Sequence, residues 1–230
     1  LVHIYSNRMD SHMMFDNLRR LSSRFLSNPL SNIILNEIKH TVQSITPQSL
    51  SITLPSVDQL RRSINPLIYT LIADEPTYHA SLFAFRRRDD IIPLHDHPSM
   101  HGLIRVLRGS IRITSFSRIP SNQSYSSSSY ISSSSIRMVY NGMRDVSIND
   151  GCIHLSPYTH DIHQVVALED GTTFFDLLIP GYKEVNCSYF TLPHPLPQKG
   201  SIIELERCPT PPTYSCTNLP LDYIRYNNDY

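Results

Sequence analysis

Histidines are the residues of this chain best able to do chemistry, and their placement says more than their number. Of eleven in 230 residues, His95, His97, His101, His154, His160 and His163 fall in one central stretch. His95 and His97 alternate with Asp96 in the run Ile91-Ile-Pro-Leu-His-Asp-His97. Residues i and i+2 of a strand share a face, so both imidazoles can reach one point while Asp96 turns away. Imidazole is a borderline ligand that suits iron, zinc, copper and nickel. A third ligand must come from elsewhere. His163 is the best candidate, because Gly151 and Pro157 place it just past a turn, at the start of a later strand. His101 lies beyond a bend marked by Pro98 and Gly102 and is expected outside the ligand set; His154 and His160 read as core-edge and loop residues.

Three neutral imidazoles leave a divalent ion its full double charge, which favours anionic ligands such as thiolate and reduced oxygen. A facial three-histidine set also leaves sites open for a chelating substrate and for dioxygen, provided that the metal can change oxidation state. Zinc is excluded for that reaction.

The elements that must hold these side chains are legible from periodicity. Phe15, Leu18, Leu21, Phe25 and Leu26, then Ile34, Leu35, Ile38, Val42 and Ile45, recur at helical spacing, so the first sixty or so residues read as helical. From residue 67 the texture changes to short β-branched and aromatic runs: 67–72, 79–85, 91–97, 103–107, 110–116, 137–140, 152–155, 163–168, 172–179, 188–192 and 201–206. Many short strands with no helices between them indicate an antiparallel barrel or jelly roll and exclude a βαβ fold. The expected organisation is a helical segment over 1–64 packed on a barrel over 65–208, with an extended strap over 209–230. Ten of the fifteen residues from 121 to 135 are serine, a stretch with almost nothing to bury and expected as a surface loop.

Composition narrows the function. Twenty basic against twenty acidic residues give zero formal charge, and only 17% of residues are charged, so no electrostatic footprint for nucleic acid or an anionic membrane is present. No stretch approaches the roughly 18 apolar residues needed to cross a bilayer. Cys152, Cys187, Cys208 and Cys216 are too sparse for a disulfide scaffold, which points to a reducing cytoplasm. A monomer is expected.

The spacing His95-x-His97-x11-Gly109, followed by Gly151-x5-Pro157-x5-His163, is close to the two sequence motifs of cupin barrels. The glutamate that usually follows the histidine pair by five residues is replaced by Gly102. The run Pro93-Leu-His-Asp-His-Pro-Ser-Met-His-Gly-Leu-Ile-Arg-Val-Leu-Arg-Gly109 closely resembles the signature of the cysteamine dioxygenases and plant cysteine oxidases, the three-histidine thiol dioxygenases. Asp161-Ile-His-Gln164, Phe175-Asp-Leu-Leu-Ile-Pro-Gly-Tyr182 and Asn186-Cys-Ser-Tyr-Phe190 resemble later segments of that family in the same order, from about residue 67 to 192.

The resemblance implies a mainly β cupin double-stranded β-helix in which His95, His97 and His163 hold non-haem Fe(2+). The implied reaction adds both atoms of O2 to a thiol, giving a sulfinic acid. The implied substrate is cysteamine or the N-terminal cysteine of a protein or peptide, whose oxidation feeds oxygen sensing. It also implies roles for Asp176 near the iron, for Tyr182 at the mouth, and for the pair Cys187 and Tyr189, which share a strand face and cross-link in some members. Gly181 replaces the second proline of the family's turn, which implies a looser turn, while Ser99 and Ser188 replace a glycine and a histidine. Two other readings stand beside this one: another metal-dependent cupin enzyme, and a catalytically silent metal-binding cupin. A free-cysteine dioxygenase would need a cation for the substrate carboxylate, and Arg61, Arg62 and Arg86 to Arg88 read instead as solvated surface.

Overall fold

A computed structural model describes residues 2–119, 135–182 and 187–226. The serine-rich stretch, apart from Ser135, lies outside the described residues. Helix α1 (Val2–Ser27) and α2 (Asn32–Gln43) form an antiparallel pair, and a short α3 (Val57–Arg61) follows. Ser31 caps α2 by accepting from the Ile34 amide, and Ser56 and Gln59 form a reciprocal capping box on α3. The helical reading therefore holds for two long helices, with residues 44–56 non-helical between α2 and α3.

All eleven expected strands are present: β1 (Leu67–Glu75), β2 (Tyr78–Phe85), β3 (Ile91–Asp96), β4 (His101–Arg108), β5 (Ser110–Arg118), β6 (Ser135–Ser147), β7 (Cys152–Leu155), β8 (Ile162–Ala167), β9 (Thr173–Ile179), β10 (Tyr189–Phe190) and β11 (Ile202–Cys208). A twelfth, β12 (Cys216–Asn218), and helix α4 (Leu221–Tyr226) lie in the stretch expected as an extended strap. That expectation is corrected: β12 pairs parallel with β1, and Ile224 is buried against the helices. Proline content hid a strand whose partner lies about 150 residues away in sequence.

One sheet has the order β12-β1-β2-β9-β4-β7; the other, β10-β11-β6-β5-β8-β3, closes on itself through the β10–β3 pair. The fold is a cupin double-stranded β-helix. The outer face of the first sheet is covered by α1 and α2, where Leu18, Phe25 and Ile38 pack on Leu82, Leu103, Leu177 and Ile179. Between the sheets, Phe85, Ile104 and Phe174 meet Ile92, Ile111, Ile113 and Val165. Full burial of each such side chain contributes about 1.5–3 kcal/mol.

The central strand β9 is consequently covered on both faces and is buried at every residue. Its odd positions face the helices, and its even positions, Phe174, Asp176 and Leu178, face the interior. A carboxylate is thereby carried into the barrel by strand alternation alone.

Candidate metal centre

His95 and His163 are cross-strand partners on β3 and β8, with ring centroids 4.5 Å apart. His97 is the first residue beyond β3 rather than within it, yet it keeps the i+2 orientation, and its Nε2 lies 3.0 Å from Nε2 of His95. One nitrogen from each of the three rings falls within 4.8 Å of the others.

The donor set fits a metal ion by its tautomers. Nδ1–H of His95 donates to the Pro93 carbonyl at 2.7 Å, leaving the Nε2 lone pair free. Nδ1 of His97 lies 3.0 Å from the Tyr182 hydroxyl; with that nitrogen donating, two lone pairs face each other across 3.0 Å. Such a pair is repulsive unless a cation lies between them. Two nitrogens about 2.1 Å from one ion at a right angle lie about 3.0 Å apart, the spacing found here. Nδ1 of His163 is a buried atom with no hydrogen-bond partner. Burial pushes all three imidazoles down, His97 and His163 well below the usual histidine range with repulsion from their histidine neighbours adding to the effect, while backbone hydrogen bonds partly offset it at His95; all three are held neutral, the form able to ligate.

The triad opens on a cavity of about 350 Å3. Asp176 lies in its wall, only 8% exposed and without a hydrogen-bond partner among the described residues; desolvation alone raises its carboxyl to about 7. Tyr182 hangs at the mouth with its hydroxyl 3.0 Å from His97 Nδ1 and 3.3 Å from the Cys187 sulfur. Burial raises both groups, and the Tyr182 hydroxyl partly offsets the rise at Cys187. The Cys187 sulfur thus meets Tyr182, while Tyr189 stacks obliquely on Tyr214 at 5.8 Å and lies 6.3 Å from the His95 ring. Asp96 faces away from the ligands as alternation requires, but it is buried: its carboxylate accepts from the Ser188 amide at 2.7 Å and so staples the segment carrying Cys187 onto β3.

Gly181 corrects another expectation. A Cβ there would come within 2.8 Å of the Glu75 carbonyl oxygen, so the turn is pressed tightly against the β1–β2 hairpin instead of being loose. Gly102, on the inward side of β4, stands where a carboxylate ligand would have to originate, so the candidate set is three neutral nitrogens. His101 is remote from the cavity; it hydrogen-bonds His154 at 2.9 Å and meets Phe25 edge-on. Neither Arg61 nor the Arg86 to Arg88 run lines the cavity, and its described lining holds no arginine or lysine.

Sequence reasoning missed a hydrogen-bonded series in the cavity wall. The Tyr69 hydroxyl lies 2.9 Å from His79 Nε2, and His79 Nδ1 lies 3.1 Å from Asp74. The cause is a β-bulge: the β1–β2 register shifts between Leu71 and Ala73, so Asp74 swings onto the inward face opposite His79. Alternation of His79, Ser81 and Phe83 was available as a signal; the bulge was not. Tyr214 and Cys216, brought to the cavity by β12, had no sequence signal.

Residues 30–220 match the PCO_ADO family model. The chain belongs to the PCO_ADO family, a family of oxidoreductases. Among curated relatives of this PCO_ADO member, mouse 2-aminoethanethiol dioxygenase is 26% identical over 191 residues, spanning 76% of this chain and 72% of the mouse protein. A Dictyostelium discoideum protein named probable 2-aminoethanethiol dioxygenase is 29% identical over 152 residues, spanning 64% of this chain and 63% of its own length. Among solved structures, a Klebsiella pneumoniae protein with a double-stranded β-helix domain is similar at a TM-score of 0.39 and 13% identity, covering 59% of this chain and 94% of that one. No helix among the described residues is long and apolar enough to cross a membrane.

Proposed function

We propose that this protein is a non-haem iron thiol dioxygenase that converts an aminothiol and O2 into a sulfinate. The observation that carries the reading is the neutral histidine triad beside an unpartnered buried carboxylate, in a cavity whose described lining offers no cation for a substrate carboxylate. Family membership and relatives named 2-aminoethanethiol dioxygenase support it.

His95, His97 and His163 would hold Fe(2+), which supplies a redox centre where a thiolate and dioxygen can meet. The net change is RSH plus O2 giving RSO2− and one proton. Asp176 suits the substrate's ammonium group: an incoming cation favours its ionised form and relieves the desolvation that raises its carboxyl. Tyr182 accepts from His97 Nδ1–H, which keeps the opposite nitrogen free to ligate, and directs its own proton towards Cys187. Tyr69, His79 and Asp74 give the released proton a route outward, since Tyr69 lines the cavity while the Asp74 side chain is 59% exposed. The cavity is large for cysteamine alone, which favours the N-terminal cysteine of a peptide as the larger aminothiol. Turnover of such a substrate would make its fate depend on oxygen.

The test is oxygen uptake by iron-loaded protein in a competition between cysteamine and Cys-initiated peptides of graded length, with product mass measured. A two-oxygen gain on the thiol is expected, with peptides preferred. Turnover of other small molecules alone would favour another cupin enzyme, and iron occupancy without any turnover would favour a silent metal-binding cupin.

A further inference from the structure

A second hollow, about 420 Å3, lies on the open side of the barrel where the edge strand β7 faces β5 and β6. Its floor is apolar, built from Ile113, Ile153 and Leu155, and its rim carries Lys39, Arg144 and Lys199. No aspartate or glutamate lines it, and none of these three cations forms an ion pair or hydrogen bond among the described residues. The surrounding surface behaves differently. Arg112 is paired with Asp145 at 2.7 Å, Arg61 with Asp170 at 2.7 Å and Arg24 with Glu37 at 3.2 Å. In a chain of zero formal charge, three cations outside any ion pair around one concavity are a local excess, reduced in part at Arg144 by the Asp150 carboxylate, and the field of a low-dielectric cleft focuses on its opening.

Two histidines in the wall respond to that field. His154 is pushed down to about 4 by burial and then by Lys39, and His160 is pushed down by burial and then by Arg144 and Lys199. His160 has a backbone φ of +61°, a left-handed conformation costly for a side chain of this size. It is fixed there by the Ser117 hydroxyl on its amide, and its Nδ1 lies 2.7 Å from the Ser115 hydroxyl and 3.3 Å from the Asn141 amide nitrogen. With Nδ1 accepting, the neutral ring carries its proton on Nε2 as a donor.

We propose that this hollow binds a small organic phosphate, its phosphoryl dianion held among Lys39, Arg144 and Lys199 and its apolar body seated on Ile113, Ile153 and Leu155. A phosphoryl group offers three acceptor oxygens and close to two negative charges, matching three cations better than a single carboxylate. The volume and apolar floor exceed what a bare inorganic ion fills. The site is independent of the dioxygenase reading. It also adjoins the metal centre, because Ser115 in its wall is the cross-strand partner of His163.

The test titrates the full chain with phenyl phosphate, inorganic phosphate and benzoate, following the imidazole resonances of His154, His160 and His79 by NMR and the heat of binding by calorimetry. Saturable one-to-one binding of phenyl phosphate is expected, tighter than that of the other two probes, with His154 and His160 shifting and His79, in the metal cavity, unmoved. The double variant Arg144→Gln, Lys199→Gln is expected to weaken binding at least tenfold, and Lys39→Arg to retain it; Arg144 and Lys199 are exposed and Lys39 is half-buried, and melting curves check that each variant is folded. Absence of saturable binding up to about 10 mM phenyl phosphate overturns the proposal. So does binding that the double variant leaves unchanged, benzoate binding as tightly as phenyl phosphate, or inorganic phosphate equalling it.

Discussion

Asp176 makes a quantitative prediction. Its carboxyl, raised to about 7 by desolvation, titrates near 3.9 in an unfolded chain. A folded-state value above the unfolded one means that the native state binds the proton more tightly. Stability is then fully present below the unfolded value and is lost as pH rises through the folded one. Each unit corresponds to about 1.4 kcal/mol, so the complete loss is about 4 kcal/mol, of which about 2.5 kcal/mol falls between pH 5 and pH 8. Asp176→Asn fills the same space without a titrating group. Urea unfolding of metal-free protein at pH 5 and pH 8 measures both chains. Other buried carboxylates, such as Asp161 at about 6, contribute equally to the two and cancel in the comparison. The native sequence is expected to lose about 2.5 kcal/mol more than the variant across this range, a midpoint difference on the order of 1 M urea. Equal losses within about 0.5 kcal/mol would mean that Asp176 is solvated, and the ammonium-binding role would go with its burial.

Replacing any one of His95, His97 or His163 by Ala is expected to abolish stoichiometric iron retention after gel filtration, measured by elemental analysis, because two imidazoles leave the ion largely hydrated. Gly102→Ala meets its nearest neighbours at 3.5 Å and is expected to leave the melting temperature nearly unchanged, whereas Gly181→Ala drives a Cβ to 2.8 Å from a carbonyl oxygen and is expected to cost about 1–3 kcal/mol in thermal unfolding. Asp96→Ala removes the acceptor of the Ser188 amide and is expected to cost about 1–3 kcal/mol; amide exchange at Ser188 should accelerate correspondingly, and an unchanged rate would show that Asp96 does not staple that segment.

Local pattern carried much of this protein. Strand alternation is a property of the backbone, so the shared face of His95 and His97 could be read from two residue numbers, and the apolar periods of α2 and β9 marked elements later found where expected. His163 was reachable because glycine and proline punctuate the turn before it. Gly102, in the carboxylate's place, was equally visible.

What the chain alone did not reveal depends on contacts between distant segments. Asp176 reads as a polar residue in a strand until helices cover one face of β9 and the second sheet covers the other; only then does desolvation act on it. The Cys187 sulfur meets Tyr182 rather than the neighbouring Tyr189 because the turn at Gly181 presses against the β1–β2 hairpin. Tyr69, His79 and Asp74 come together through one extra residue in a strand register, and Tyr214 reaches the cavity through a parallel pairing across most of the chain. Sequence therefore determined the candidate ligands and the faces they occupy, since these follow from backbone geometry over a few residues. Tertiary structure decided charge state, partners and enclosure, because dielectric environment and hydrogen bonding are set by whatever the rest of the chain packs around each group.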